Sequence, residues 1–254
     1  MSRVPQVVAF GGGGFSMESG NGLLDDYVLA ATGVERPKVC FLPTASGDAD
    51  HYIVRFYRHF PASRCEPSHV SLFRRDCGTD DVRAHLLDQD LVYVGGGSVV
   101  CLMGVLRAHG LDVALREAWE AGVVMCGLSA GSLCWFAEAV SGFHGAPKRL
   151  RGLGLLPFSN CVHYERGSKR GEAYHRFLRE GMRGGYAAED GAALHFTGEE
   201  LSRVVASRPE ARGYRLDVAG SRVVEMRIAT TYLGEVGAEP AAPLPEALST
   251  APAA

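Results

Sequence analysis

Short apolar runs alternate along the first half of the chain with longer segments in which apolar residues recur at helical spacing. Strands are predicted at residues 7–10, 38–42, 70–73, 91–94 and 122–126. Helices are predicted at about 23–31 and 50–60, and from an N-cap at Asp80 through Leu87, and two helical stretches are predicted over roughly 99–121. The strand segments are apolar at successive positions, as expected when helices cover both faces of a sheet. This pattern predicts an α/β fold with a mostly parallel sheet.

The second half of the chain is less regular. Glycine and proline punctuate residues 142–157, and a polar helix is predicted over about 169–182. Antiparallel strands are predicted at 203–207 and 213–228, the latter with a hairpin turn at 218–221. The last segment, 237–254, is rich in alanine and proline and cannot bury an apolar core. We therefore expect a single domain over residues 1–236, followed by a disordered tail.

Length and charge narrow the classes of protein to consider. The chain has 254 residues, of which 46% are hydrophobic, so one domain can bury a substantial core. Its net charge of −3 gives no electrostatic footprint for nucleic acid or for an anionic membrane surface. No apolar run reaches the roughly 18 residues of a membrane-spanning helix, and the N-terminus does not have a signal-peptide pattern. A cytoplasmic protein without nucleic-acid or membrane partners is expected.

Cysteine and histidine spacing argues against disulfides and metal sites. The seven cysteines are Cys40, Cys65, Cys77, Cys101, Cys126, Cys134 and Cys161. Their number is odd, no pair has CxxC spacing, and several stand in apolar runs, which indicates reduced cysteines in a core. The nine histidines have neither HxxxH nor HxH spacing. We therefore expect no metal and no other cofactor.

The segment Gly127-Leu128-Ser129-Ala130-Gly131 follows a predicted buried strand and precedes a predicted helix over 132–138. A serine between two such glycines at a strand-to-helix turn is the nucleophile-elbow pattern. This turn places the Ser129 hydroxyl at the end of the strand, and the N–H of Ala130 beside a developing oxyanion. The motif therefore indicates a catalytic serine, although a tight glycine turn with an unused serine would have the same sequence.

A serine becomes a good nucleophile when a positioned base accepts its proton, and the base in turn needs an orienting carboxylate. His163 is favoured as the base because it follows a short apolar run at the end of an apparent strand. Glu189 and Asp190 both stand where an extended run begins. Either can supply the acid on these grounds.

Six segments, in the same order along the chain, resemble the peptidase E (aspartyl dipeptidase) family of serine peptidases, whose relatives include cyanophycinase. They are GGGGFSM (11–17), FLPTASGD (41–48), VYVGGGS (92–98), AGVVMCGLSAGSLCWF (121–136), VHYERGSKRGEAYHRFL (162–178) and GYAAEDGAALHF (185–196). The resemblance covers residues 6 to about 235. It implies a three-layer α/β sandwich like that of the class I glutamine amidotransferases, here followed by C-terminal antiparallel strands.

The resemblance also assigns roles to individual positions. It implies a triad of Ser129, His163 and Asp190, the last at a position where many relatives have glutamate, with Glu189 as a lesser candidate. The N–H groups of Gly97 and Ala130 would form the oxyanion hole. Ser98 stands where relatives often have Asn or Asp. The glycines of loop 11–14 would have a structural role near the edge of the active site.

The aspartyl dipeptidases hold the N-terminal Asp of a small peptide with basic side chains near the histidine. This chain has a basic cluster there: Arg166, Lys169, Arg170, Arg176 and Arg179. Tyr174 stands where the best-known peptidase E has an arginine, and Arg170 is the expected replacement. The predicted substrate-binding residues are therefore Ser98, Arg170 and Tyr174. Relatives form dimers or remain monomers, so a homodimer is an open expectation.

The sequence disfavours two alternatives to a peptidase of this family and leaves two others open. An α/β-hydrolase needs the order serine, acid, histidine, which would require Asp190 with His195, five residues along one strand and on opposite faces. A nucleotide-binding loop at Gly11–Gly14 lacks the third glycine of the GxGxxG pattern. An esterase or amidase could use the same triad on another acyl group, and a non-catalytic binding protein could keep the same fold.

Overall fold

The computed structural model describes residues 3–74 and 79–234, and the elements of this part of the chain are as follows. The strands are β1 (Gln6–Phe10), β2 (Lys38–Leu42), β3 (Glu66–His69), β4 (Leu91–Val94), β5 (Val124–Leu128), β6 (Phe136–Ser141), β7 (Lys148–Arg151), β8 (Leu156–Val162), β9 (Gly185–Ala188), β10 (Ala192–Thr197), β11 (Glu200–Ala206), β12 (Gly213–Ala219), β13 (Arg222–Ile228) and β14 (Thr230–Tyr232). The helices are α1 (Leu23–Ala31), α2 (Asp50–His59), α3 (Val82–Leu87), α4 (Val99–Ala108), α5 (Leu111–Glu120), α6 (Ala130–Leu133) and α7 (Lys169–Arg179).

The central sheet has eight strands within the described residues, in the order β14-β11-β10-β1-β5-β4-β2-β3. From β1 to β3 all neighbours are parallel, whereas β10 runs antiparallel to both β1 and β11. Helices α1 and α2 pack on one face, and α4 and α5 on the other. The predicted α/β fold with a mostly parallel sheet is therefore confirmed.

Strand β1 shows why the sheet strands are apolar at every position. Val7 and Ala9 belong to the core on the α4–α5 side, and Val8 and Phe10 to the core on the α1–α2 side. All four side chains are fully buried. Since burial of a large apolar side chain is worth about 1.5–3 kcal/mol, a strand covered on both faces gains from apolar residues in succession.

A second sheet of six strands, in the order β13-β12-β9-β8-β6-β7, is present in the described part of the chain. Its inner face joins the core on the α4–α5 side, and α7 packs on its outer face through Tyr174 and Leu178. The antiparallel pair β12–β13 turns at Gly220, whose φ is +63°, so the predicted C-terminal hairpin is confirmed. The sheet as a whole was not predicted, because strands β7 and β8 begin inside the glycine- and proline-punctuated segment.

Three local predictions are wrong. The third strand is β3 rather than residues 70–73. It pairs with β2 at the sheet edge, and its half-exposed sequence EPSH lacks an apolar pattern. Val70 is a buried residue beyond the end of β3. The helix after Ser129 ends at Leu133, and β6 begins at Phe136, inside the predicted helix, because its residues pair with β7 and β8. Asp81, rather than Asp80, caps α3 by accepting a hydrogen bond from the N–H of Ala84 at 2.9 Å.

The six cysteines in the described residues are free, and all but Cys101 are buried, in agreement with the prediction of reduced core cysteines. Cys77 and the predicted disordered tail over 237–254 lie outside the described residues. Among the helices of residues 3–74 and 79–234, none has the length and apolar character needed to cross a bilayer.

Candidate active site

Ser129 lies at the turn between β5 and α6 with φ +53° and ψ −113°, a backbone conformation that non-glycine residues rarely adopt. The two flanking glycines make this turn possible. A Cβ at position 131 would overlap the carbonyl oxygen of Val94, and one at position 127 would stand 2.5 Å from the carbonyl oxygen of Gly131. The strand, tight turn and helix expected of a nucleophile elbow are therefore all found here. They place the Ser129 hydroxyl at the carboxyl end of the sheet.

His163 follows the last residue of β8 and also has a positive φ, +48°. Its Nε2 lies 2.9 Å from Oγ of Ser129, and its Nδ1 lies 2.5 Å from Oδ1 of Asp190. The structure thus brings together three side chains that are 34 and 27 residues apart along the chain. An imidazole with this arrangement can accept the serine proton on one nitrogen while the carboxylate holds the other.

Asp190 stands in the turn between β9 and β10. Its hydrogen bond with His163 lowers the pKa of its carboxyl group below the ordinary value, against the opposing effect of partial burial, and the positive charges of Arg208 and Arg170 also lower it. The carboxylate is therefore ionised at neutral pH. An ionised acceptor at Nδ1 keeps the ring proton on that nitrogen, so that the lone pair of Nε2 faces Ser129.

Glu189, the other candidate for the acid, points elsewhere. Its Oε1 accepts a hydrogen bond from the hydroxyl of Tyr214 at 2.6 Å, and its Oε2 accepts one from the N–H of Arg212 at 2.9 Å. Asp190 rather than Glu189 thus contacts the imidazole. The ring nitrogens of His195 contact Tyr27 and Gln6, so His163 rather than His195 is the histidine at Ser129, and the order serine, acid, histidine is not assembled there.

The glycine loop after β1 lies directly against these residues. The carbonyl oxygen of Gly11 accepts a hydrogen bond from the N–H of His163, and that of Gly12 accepts one from the N–H of Gly191, each at 2.9 Å. A Cβ at position 12 would overlap Oδ1 of Asp190. The sequence placed this loop only near the edge of the site. Its direct contact with His163 and Asp190 was missed, although a run of four glycines after a strand signals close approach by another group.

Gly97 and Ala130 line the cleft beside Ser129. Gly97 has φ +140°, and a Cβ there would overlap the carbonyl oxygen of Ala45, so this position requires glycine. The neighbouring N–H of Gly96 donates to the hydroxyl of Tyr52, and that of Ser98 donates to Ala45. The N–H groups of Gly97 and Ala130 make no hydrogen bond with another described residue, so both remain available to a substrate oxygen.

The cleft next to Ser129 and His163 is small, about 90 Å³. Its walls include the apolar side chains of Leu133, Val140, Phe143 and Val162. Arg170 contributes a guanidinium group to the same cleft and uses one nitrogen, Nη1, to donate to the carbonyl oxygen of Val162 at 2.8 Å. The other N–H groups of this fork remain available to a carboxylate.

The two other predicted substrate-binding residues have different surroundings. The hydroxyl of Ser98 caps α4 by accepting from the N–H of Cys101, and it also lies 2.7 Å from Nε2 of His144. Tyr174 is fully buried under α7 with its hydroxyl 2.6 Å from Oγ of Ser159, and it does not line the cleft. A substrate cannot reach Tyr174 in this conformation. His144 is a neighbour of Ser98 that the sequence did not indicate.

The remaining members of the basic cluster lie outside the cleft. Arg166 pairs with Glu225 at 2.6 Å, and Arg176 pairs with Glu180 at 3.7 Å. No group of three or more His, Cys, Asp or Glu residues in the described ranges is arranged to hold a metal ion. The groups that the site offers for chemistry are the hydroxyl of Ser129, the imidazole of His163, the carboxylate of Asp190 and the backbone N–H groups of Gly97 and Ala130.

Comparison with known proteins adds independent information. Residues 7–204 match the model of peptidase family S51. The chain is 45% identical over 230 residues to "Uncharacterized peptidase YgaJ" of Bacillus subtilis, covering 90% of this chain and 99% of that protein. It is 27% identical over 226 residues to "Peptidase E" of Streptomyces coelicolor, covering 80% of this chain and 86% of that one.

The fold also has a counterpart among solved structures. A crystal structure of a peptidase from an acI-B1 Actinobacterium superposes with a TM-score of 0.65 and 15% sequence identity. The superposition covers 89% of this chain and 98% of that chain. At this identity the similarity shows a shared fold, with helices on both sides of a mostly parallel sheet.

Proposed function

Because this chain belongs to peptidase family S51, we propose that it is a serine peptidase that hydrolyses short peptides, with Ser129, His163 and Asp190 as its catalytic residues. Family membership and the two peptidase relatives support peptide hydrolysis in general. The observation that supports the serine mechanism is the unbroken series of contacts from Oγ of Ser129 through both ring nitrogens of His163 to Asp190.

The reaction would begin when Nε2 of His163 accepts the hydroxyl proton and Oγ of Ser129 forms a bond to the scissile carbonyl carbon. The carbonyl oxygen becomes an oxyanion, which the N–H groups of Gly97 and Ala130 stabilise. The C–N bond then breaks as His163 gives its proton to the leaving amine. Water attacks the acyl-enzyme, with His163 again taking and returning a proton, and the released Ser129 regains its hydrogen.

The substrate that we propose is a dipeptide or similarly short peptide with an N-terminal Asp. The small volume of the cleft supports a short side chain at the position before the scissile bond. Arg170 supports a carboxylate there, because its guanidinium reaches the same cleft and still has free donors. A fork of this kind can bind a carboxylate through two parallel hydrogen bonds, which neutral side chains cannot replace.

Labelling with a fluorophosphonate tests the catalytic serine, since this reagent forms a phosphorus–oxygen bond with an activated serine and releases fluoride. We expect labelling of the wild-type protein at Ser129, abolished in Ser129→Ala. Hydrolysis of amino-acid p-nitroanilides and p-nitrophenyl esters, which vary in the N-terminal residue, tests the substrate class. Faster turnover of Asp-p-nitroanilide than of the Ala compound supports the proposed specificity.

The same assays distinguish the alternatives. Labelling at Ser129 with turnover of esters but of no peptide or anilide would indicate an esterase on this triad. No labelling and no turnover by a folded protein would indicate a binding protein that keeps the fold, and would overturn the proposal.

A further inference from the structure

A second cavity lies apart from the catalytic cleft and shares no lining residue with it. Its volume is about 420 Å³, against about 90 Å³ for the cleft, and it is formed by residues 15–20 and by the last two turns of α2. Sites for small molecules commonly occupy about 300–1,000 Å³. The proposed peptidase reaction makes no use of this cavity.

Two arginines from α2 supply positive charge to this cavity. Arg55 donates from Nη1 to the carbonyl oxygen of Ser16 at 2.8 Å, which fixes the side chain and leaves the other guanidinium N–H groups available. Arg58 makes no hydrogen bond or ion pair with any residue of the described ranges. His59, the last residue of the helix, lines the same cavity. Three nitrogen-bearing side chains therefore face one space.

The two acidic groups near the cavity have partners other than Arg55 and Arg58. Glu18 lines it, but its Oε1 accepts from Nε of Arg208 at 2.6 Å and its Oε2 accepts from the hydroxyl of Ser207 at 2.7 Å. Asp25 is fully buried behind His59, with its Oδ2 3.1 Å from Nε2 of the ring. Glu18 thus pairs with Arg208 and Asp25 contacts the ring of His59, so neither carboxylate pairs with Arg55 or Arg58, and neither arginine has an acidic partner within the described residues.

We propose that this cavity binds a small organic anion, whose carboxylate or phosphate group pairs with Arg55 and Arg58. Phe15 and Met17 supply apolar surface at the same cavity, and the Met17 side chain is 44% exposed. An anion with a compact apolar part suits this combination better than a bare inorganic ion, because it buries apolar surface as well as pairing its charge.

Isothermal titration calorimetry tests the proposal with phenyl phosphate and succinate as probes and with benzyl alcohol as the neutral control. We expect saturable binding of one or both anions to the wild-type protein and none of the alcohol. The double variant Arg55→Gln/Arg58→Gln should weaken anion binding by at least about tenfold, since charge-assisted hydrogen bonds are lost. Arg36→Gln removes the same charge from an exposed position outside the cavity and should change the affinity less than about twofold.

The probe that binds more tightly shows whether the cavity prefers a phosphate or a carboxylate group. Thermal melts of each variant establish that it is folded. The proposal is overturned if neither anion binds, if the double variant binds as well as Arg36→Gln, or if Arg170→Ala rather than the double variant abolishes binding, which would place the anion in the catalytic cleft. Because no assay here uses turnover, failure of this proposal is distinguishable from failure of the proposed peptidase activity.

Discussion

Gly12 leaves the space that the carboxylate of Asp190 occupies. A Cβ at position 12 would overlap Oδ1 of Asp190 and stand 2.8 Å from Nδ1 of His163. The backbone at Gly12 has no left-handed φ, so an alanine there is opposed by these side chains rather than by its own backbone conformation.

We therefore expect Gly12→Ala to displace Asp190 and to lower kcat by about 10²-fold, the scale expected when a catalytic group is misplaced by about 1 Å. Peptide hydrolysis and thermal unfolding, measured on the same preparation, check this. Gly104→Ala is the matched control, because a Cβ at position 104 in α4 meets no atom within 4 Å. Activity in Gly12→Ala equal to that of the control would show that the contact has no catalytic consequence.

Ser129→Ala should fold normally and lose about 10³-fold or more in kcat, because no other group can form the acyl-enzyme. Alanine and serine have the same Cβ, so we expect the strained backbone at position 129 to cost no more with alanine than with serine. The control is Ser132→Ala in the same short helix, since the Ser132 hydroxyl accepts a hydrogen bond from Asn160 and Ser132 does not line the cleft. Residual turnover near the wild-type rate in Ser129→Ala would exclude Ser129 as the nucleophile.

Substitutions at the two neighbouring acids separate their roles. Asp190→Asn should lower kcat by about 10³–10⁴-fold, because an amide no longer holds the proton at Nδ1 of His163. Glu189→Gln should cost less than about tenfold, since this carboxylate binds Tyr214 and the N–H of Arg212 instead. Steady-state kinetics on both variants measure these losses in kcat. A larger loss in Glu189→Gln than in Asp190→Asn would assign Glu189 rather than Asp190 as the acid of the triad.

Arg170→Ala should reduce kcat/KM for Asp-p-nitroanilide at least about tenfold more than for Ala-p-nitroanilide, because only the first offers a carboxylate to the guanidinium. Lys169→Ala provides the control: it removes a positive charge from the preceding, exposed position of α7, which does not line the cleft. Equal losses on both substrates would remove Arg170 from substrate recognition.

His195 makes the stability of the protein depend on pH. Burial lowers the pKa of His195 from 6.5 to about 4, and the positive charge of Arg203 acts in the same direction. The folded protein thus favours the neutral ring. The contribution of His195 to the free energy of unfolding is therefore fully present above pH 6.5 and is lost as the pH falls from about 6.5 to 4. The difference corresponds to about 3 kcal/mol in the free energy of unfolding.

Urea unfolding between pH 7 and pH 4.5 measures this dependence. We expect the free energy of unfolding to fall less steeply with decreasing pH in His195→Gln than in the wild-type protein. His51→Gln, at an exposed position of α2, should keep the wild-type slope. An unchanged slope in His195→Gln would show that the ring is not held neutral by the fold.

Most parallel strands of the central sheet were predicted from local patterns of apolar residues along the chain. Strand β2 and helix α1 begin and end at the predicted residues, since continuous apolar runs with β-branched residues and amphipathic segments report their burial directly. Strands β3 and β7 were missed for the converse reason. Their residues are half-exposed or exposed, and they become strands only because partners from other segments supply hydrogen bonds.

The sequence by itself determined that the chain forms an α/β sheet and that a serine stands in a strand-to-helix turn, because both follow from the order of residues within a single segment. Only the tertiary structure decided that Asp190 and not Glu189 reaches His163, that Arg170 and not Tyr174 lines the cleft, and that Gly12 touches the acid. Neighbouring residues in a turn or on a helix differ little in sequence pattern, yet they point in different directions. Which of them meets a side chain about 30 residues away depends on how the sheets and helices pack together.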